Sequence, residues 1–413
     1  MCWDNGSHSR LSPMSMGRNY RKLWAGNAAS NFGDGISFVA IPLLATTLTN
    51  DPMAVAGLTA VYSAARLVAV LPIGVFVDRL DRRTLLWVAN LIRSLLLAAL
   101  ALLIASGSGS VMALYVVYTL IGLLETAADN SALSILPSLV GSKDLDKANS
   151  QISATQLIAD EFVGPPLGGL LFATAMALPI AVMGSAYAAA GLFFLAMKGN
   201  FQAARSRGPA TSLRREVVVG ASWLARHRLL RTLAVVSGLA SIAYMMPFSI
   251  LVLFATETLG LNSAEYGVLL AASAVGGLLG SMIVAPLRRK IGYAALTTGS
   301  LVLGSVSLLA TFLTDSPFVA GLALALYILH AVLFNVSVSS VRQRLVPDAL
   351  RGRVNSVLKL FGLAGLAIGA GLGGMFATVF GLAVPFLAGS LLFIVCALLS
   401  LQSFRGLSHS PAS

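Results

Sequence analysis

The chain has 413 residues, 57% hydrophobic and only 11% charged, with a mean hydropathy of +0.85, which excludes an ordinary soluble globular domain. A net charge of +12 raises the question of nucleic acid, but Lys and Arg fall in short clusters between apolar runs, the positive-inside pattern, and that excludes a nucleic-acid surface. Cys2 and Cys396 are too few for a disulfide framework.

Apolar runs of about 20 residues, enough to cross about 30 Å of hydrocarbon as helices, recur along the chain. They occupy 23–48, 54–77, 84–106, 110–134, 151–175, 178–197, 233–256, 265–287, 294–314, 318–341, 357–379 and 382–402. A β-barrel would show short alternating segments instead. The first run is too long for a cleavable signal. Before it, the tail 1–22 carries Arg10, Arg18, Arg21 and Lys22, which hold the amino terminus in the cytoplasm.

Alternate connections (49–52, 107–110, the turn at Pro179, 257–263, 314–317 and the turn at Gly381) contain no Lys or Arg. The others hold Arg79, Arg82 and Arg83, then Lys143 and Lys147, the block 198–231, Arg288, Arg289 and Lys290, and the segment Arg342 to Arg353. Both termini are therefore expected on the cytoplasmic side of the cell (inner or plasma) membrane, including the short tail 403–413. The connection 198–232 is the longest and divides the chain into bundles at 23–197 and 233–402. Its second part, Leu213 to Arg231, reads as a basic amphipathic helix on the membrane surface.

The halves repeat. Leu139-Val140 through Asn149-Ser150 corresponds to Leu345-Val346 through Asn355-Ser356 at an offset of 206 residues, and Gly164 to Gly169 corresponds to Gly369 to Gly374 at 205. The expected fold is an all-α membrane protein of twelve transmembrane helices in two six-helix bundles, with a substrate cavity between the repeats.

The stretch Gly74-Val-Phe-Val-Asp78-Arg79-Leu-Asp81-Arg82-Arg83 resembles the loop signature between spans two and three of the major facilitator superfamily, matched at Gly74, Asp78, Arg79, Arg82 and Arg83. Asp81 stands where the signature usually has glycine, a departure that resembles the macrolide and siderophore (enterobactin) exporters of the drug:proton antiporter branch. In the second half, Ala285 to Gly292 keeps the basic residues and loses the acid. Span five carries Gly164, Pro165, Gly168 and Gly169, which resemble the core of the antiporter motif, with Asp160 where its longer form has glycine. The span-four signature arginine of the superfamily is replaced by Tyr118. The resemblance implies alternating access and a latch in which Asp78 bonds the start of span eleven near Asn355.

Ionisable residues in mid-bilayer need a reason. Asp34, Arg66, Glu125, Asp160 and His330 all fall roughly 17–18 Å from the cytoplasmic ends of their spans. Asp34 and Arg66, on consecutive spans, are expected to pair, with Asp34 also open to a proton or a cationic substrate. Glu125 and Asp129, one turn apart on one face, form a second candidate proton or substrate site; alternatively Asp129 sits near the inner mouth and only Glu125 is buried. Asp160 shares a face with Gly164 and Gly168 and reads as a structural acid in a helix-packing face. Arg93 reads as snorkelling or paired, and His330 as a hydrogen-bonded structural residue or a proton relay. Tyr244, Met245, Met246 and Phe248 form a soft surface, which with Asn335 is a candidate cavity wall. Ala272, Gly276 and Gly280 match the small face of span five and read as a close helix-packing face, a candidate seam between the halves.

The function expected is proton-coupled efflux of an amphipathic organic compound, a drug, macrolide-like molecule or siderophore. A lipid translocator, nutrient symporter or uniporter of the same fold remains open. A membrane-embedded enzyme or transport-dead sensor lacks motif support, since no P-loop or His-Glu-x-x-His occurs and His8, His227, His330 and His409 are isolated. The expected partners are a small-molecule substrate, protons and the lipid bilayer, with no nucleic acid, metal or cofactor, and the expected state is a monomer.

Overall fold

The computed structural model describes residues 17–141, 143–202 and 213–408, and every regular element among them is helical. Arg10, part of the expected amino-terminal anchor, and the last five residues lie outside the described residues. The first four spans are α1 (Arg18–Leu48), α2 (Pro52–Arg79), α3 (Arg82–Ala105) and α4 (Val111–Leu139). The fifth is α5 (Leu145–Leu157), continued by a π turn, Ile158–Val163, into α6 (Gly164–Thr174); the sixth is α7 (Leu178–Leu195). After the linker helix α8 (Leu213–Arg226) come α9 (Arg228–Phe248), α10 (Leu251–Leu253) and a second π turn, Phe254–Thr258, as one span. The rest is α11 (Ser263–Phe312), α12 (Pro317–Leu345), α13 (Asp348–Phe380) and α14 (Val384–Ser408).

Ten of these segments are long and apolar enough to cross a membrane. One of the ten, α11, is two spans: Gly292 has φ 77° and ψ 175°, a left-handed conformation that a side chain would disfavour, and it breaks the rod. With the π-interrupted fifth span, the total is twelve. Several helices begin earlier than the apolar runs, α13 at Asp348 rather than 357, because Arg and Lys end a hydrophobic run but propagate a helix well.

Local signals account for the boundaries. The Asp81 carboxylate accepts from the Thr84 N–H at 3.0 Å and so caps α3; its other oxygen accepts from the Phe201 N–H at 3.0 Å, tying the linker to the second turn. The aspartate that departs from the family signature is thus a helix cap. Asn262 and Glu265 form a reciprocal capping box at the start of α11. Arg82 donates to the Ser134 carbonyl at 3.1 Å, and Arg83 donates to the carbonyls of Phe194 and Leu195 at the carboxyl end of α7, where a cation is favoured. In the latch, the side chains of Asp78 and Arg79 lie outside the described residues; the expected bond from Asp78 toward Asn355 falls there.

The linker helix differs from expectation. It ends at Arg226, His227 is extended, and Arg228 opens α9. Its apolar face packs Leu224, with Ala221 and Trp223, against Leu230, Val346, Val354 and Val357, and a Cβ on Gly220 would lie 2.6 Å from the Arg353 carbonyl oxygen. The helix is therefore seated on α13 rather than spread on lipid, because a protein groove buries its apolar face more completely than an interface does.

The membrane face that carries α8 and the α2–α3 turn is termed the linker side, and the opposite face the far side. The bundles meet along α2 with α13 and along α6 with α11. On the far side a Cβ on Gly169 would lie 2.4 Å from the Ser263 carbonyl oxygen and 3.0 Å from Gly267, and one on Gly374 would lie 2.8 Å from Ala56, so these glycines allow backbone contact between bundles. The small face of α11 expected at this seam is placed elsewhere: Gly276 abuts the Ala325 carbonyl and Gly280 abuts Val332 of α12. That face packs within the second bundle, and Gly267, a turn or more earlier, meets the first.

Candidate functional site: a charge network facing a central cavity

A cavity of about 320 Å³ lies between the bundles, lined on the first by Asp34, Arg66, Glu125, Asp129 and Asp160 and on the second by Tyr244, Met245 and Phe248. It adjoins a vestibule of about 840 Å³ lined wholly by the second bundle; the two share Tyr244, Ile328 and Leu366. The vestibule extends to the linker-side ends of α12 and α13 at Arg342 and Asn355. In the cavity wall, Phe38 of the first bundle and Phe248 of the second meet with ring centroids 5.8 Å apart.

The expected pair of Asp34 with Arg66 is not formed. Asp34 is bound by Arg93 of α3, which is 0% exposed. Arg93 also donates to Ser30 Oγ at 3.1 Å and Tyr187 Oη at 2.8 Å, and its guanidinium lies 3.8 Å from the Tyr187 ring centroid. Tyr187 Oη in turn donates to Asp34 at 2.7 Å. An arginine excluded from solvent needs a carboxylate and further acceptors; α1 supplies Asp34 and Ser30 and α7 supplies Tyr187, leaving only its Nε without a partner.

Arg66 turns instead to α4, where its guanidinium lies 3.1 Å from Glu125 and 3.4 Å from Asp129. Tyr62, one turn earlier on α2, donates to Glu125 and stacks on Tyr118 at 4.6 Å. Glu125 also lies 3.7 Å from Arg93, so the acid links both arginines. Asp34, Arg93, Glu125, Arg66 and Asp129 thus form one continuous network of three carboxylates and two guanidiniums. Among its carboxylates, side-chain exposure is 11% at Glu125, 20% at Asp34 and 44% at Asp129. Of the two arrangements expected for the α4 acids, the structure has the one with Glu125 buried and Asp129 open.

Other expected residues divide between wall and core. Asp160 stays at the helix-packing contact, its Cα 2.9 Å from where a Gly35 Cβ would stand. Its side chain also lines the cavity, from the π turn Ile158–Val163. Gly164 and Gly168 pack on Gly35 and Ile36 of α1, and Pro165 lines the cavity. Tyr244, Met245 and Phe248 are wall residues, but Met246 is buried, its carbonyl 2.1 Å from where a Gly373 Cβ would stand. Asn335 lines the vestibule. His330 is buried, with Nδ1 on the Tyr327 carbonyl and its ring 4.8 Å from Phe393, and it also lines the vestibule.

Sequence reasoning read Arg93 as snorkelling or paired, and the structure pairs it, but its place in this network and those of Tyr62 and Tyr187 were not foreseen. A signal existed: counted from Arg82, Arg93 lies roughly 16 Å along its helix, level with the other intramembrane charges. It also missed Arg342 and Lys359 as cavity-lining cations.

Solved structures share this architecture: the nucleoside transporter NupG superposes with a TM-score of 0.77 at 13% identity, covering 94% of this chain and 99% of that one. Among curated proteins, the multidrug efflux pump Tap of Mycolicibacterium fortuitum is 29% identical over 368 residues, 87% of this chain and 89% of Tap. The enterobactin exporter EntS of Citrobacter koseri is 24% identical over 388 residues, 92% of this chain and 91% of EntS. The family model described as transmembrane secretion effector matches residues 8–407. With that match, the twelve-span fold and the cavity between its bundles, the chain belongs to the transmembrane secretion effector family of the major facilitator superfamily and is a multi-pass membrane transporter, not an enzyme.

Proposed function

We propose that this transporter exports an amphipathic organic compound in exchange for protons, with the linker side cytoplasmic. One observation carries the reading: the cavity-facing network holds three carboxylates against two arginines. Matching Asp34 with Arg93 and Glu125 with Arg66 leaves Asp129 as the surplus acid. A net negative network is costly to enclose in a low-dielectric interior, so the empty carrier reorients once a proton has neutralised it. A substrate whose positive or hydrogen-bonding group faces the acids supplies the same neutralisation. Proton and substrate then alternate as the species that permit the switch, which is antiport.

Export is the activity named for both Tap and EntS, and the positive-inside distribution supports cytoplasmic termini. The bundles 23–197 and 233–402 serve as the rocking units, the protein works as a monomer, and Arg79, Arg82 and Arg83 anchor the linker side with Asp78 as the latch. The wild-type protein reconstituted in liposomes with a known orientation, loaded with rhodamine B, is expected to export the dye against its gradient when protons flow the opposite way. Equal rates with and without the proton gradient would instead favour a uniporter.

A further inference from the structure

The second bundle holds two cations whose function the proton network does not use. Arg342 of α12 and Lys359 of α13 both line the vestibule, and among the described residues neither has a carboxylate within 4.0 Å. Their own bundle supplies none inside the membrane: from residue 228 to 408 the acids are Glu257, Glu265, Asp315 and Asp348, all at or beyond helix ends. Arg342 donates to Ser339 Oγ at 3.2 Å, which leaves most of its donors unassigned. Lys359 is exposed to the vestibule, about three turns into α13. The remaining polar lining consists of donors or neutral groups, among them Ser237, Ser241, Asn335 and Asn355. Lys359 lies inside the apolar run 357–379, where a cation marks a site for which a partner is to be sought, and Arg342 stands in the last turn of α12 at the vestibule's linker-side mouth.

We infer that the vestibule is an anion-binding subsite, in which Arg342 and Lys359 take a carboxylate or similar anionic group of the substrate. The inference rests on reading the joined cavities as the transport site. Acids line the first bundle and cations the second, so a ligand lying across Tyr244, Ile328 and Leu366, the residues shared by both spaces, meets opposite charges at its two ends. The favoured substrate is therefore an amphipathic zwitterion, its apolar body on the Tyr244 and Phe248 rings, which stack with centroids 5.1 Å apart. Together the two spaces hold a drug-sized molecule with room to spare.

The test compares rhodamine B, which carries a free carboxylate, with its ethyl ester, which keeps the cation and loses the anion. Equilibrium binding is read by fluorescence anisotropy on the purified full-length protein in detergent, with no gradient. Wild type is expected to bind the free acid about tenfold more tightly than the ester, the scale of one charge-assisted pair. The double variant Arg342→Gln/Lys359→Gln loses that preference while its affinity for the ester is unchanged, and Arg342→Lys/Lys359→Arg retains it. Equal binding of acid and ester by wild type, or a preference that survives in the glutamine variant, overturns the subsite. These outcomes are separable from the antiport reading, which fails if a proton gradient does not drive export even though the binding preference is intact.

Discussion

Replacing Arg93 with Met is expected to remove the protein's stable fold, with a loss of about 3–5 kcal/mol, the range for stripping one partner from a buried ion pair. The side chain is wholly buried and holds Asp34, Tyr187 and Ser30 together across three helices. Its removal leaves the Asp34 carboxylate beside Tyr187 without a counter-charge, and burial magnifies that cost. Thermal unfolding of the purified variant, followed by the fluorescence of a thiol dye on the buried Cys396, reads the effect. The paired variant Arg93→Met/Asp34→Asn should recover much of the loss, because it removes the stranded charge along with its partner. An Arg93→Met protein as stable as wild type would mean that the ion pair contributes nothing to assembly.

Asp129→Asn is expected to act in the opposite way, leaving the fold intact and uncoupling transport. It gives the network two acids and two arginines, the balance that one proton confers on wild type, and at 44% exposure the site tolerates an amide. Gradient-driven export of rhodamine B should fall by about 5–150-fold, the usual span of a coupling free energy, while dye exchange with no gradient continues. Asp34→Asn and Glu125→Gln also restore numerical balance, but each disturbs a buried contact of Arg93 or Arg66, so their transport defects come with lower stability. Unchanged gradient-driven export in Asp129→Asn would remove the surplus carboxylate from the mechanism.

Much of this was legible in the chain. Twelve apolar runs, the 206-residue repeat and the Gly74 to Arg83 signature lead to two bundles because span length and charge placement are set by the bilayer alone. The acids at the midplane were legible for the same reason: their cost singles them out. Their partners were not. Consecutive spans invite the pairing of Asp34 with Arg66, yet adjacency in the chain does not decide which helix face turns inward, and α3 and α7 stand closer behind Asp34 than α2 does. Asp160 was legible as a helix-packing acid, whereas its place on the cavity wall, in a π turn that periodicity does not foresee, was not. The small face of α11 was legible as a close-packing face, but Gly-x-x-x-Gly spacing does not name the partner helix, and here α12 takes it rather than the other bundle.

Asp81 gives the reverse case. As a departure from a family pattern it carried no physical meaning in the sequence, and the structure supplies one: it caps α3 and holds the start of the linker through Phe201. The linker helix was legible as amphipathic but not as docked, since an apolar face suits lipid and a protein groove equally until α13 is seen beneath it.

The central claim is that the surplus carboxylate makes proton and substrate alternate, and its most direct measurement is the proton flux driven by substrate alone. Oriented liposomes containing the protein and a trapped pH dye are given a rhodamine B gradient with no initial pH difference. The account predicts that dye leaving by the transporter draws protons the other way, shifting the internal pH in wild type and not in Asp129→Asn, although the dye still crosses. Dye movement without proton movement in wild type, or equal proton movement in the variant, contradicts it.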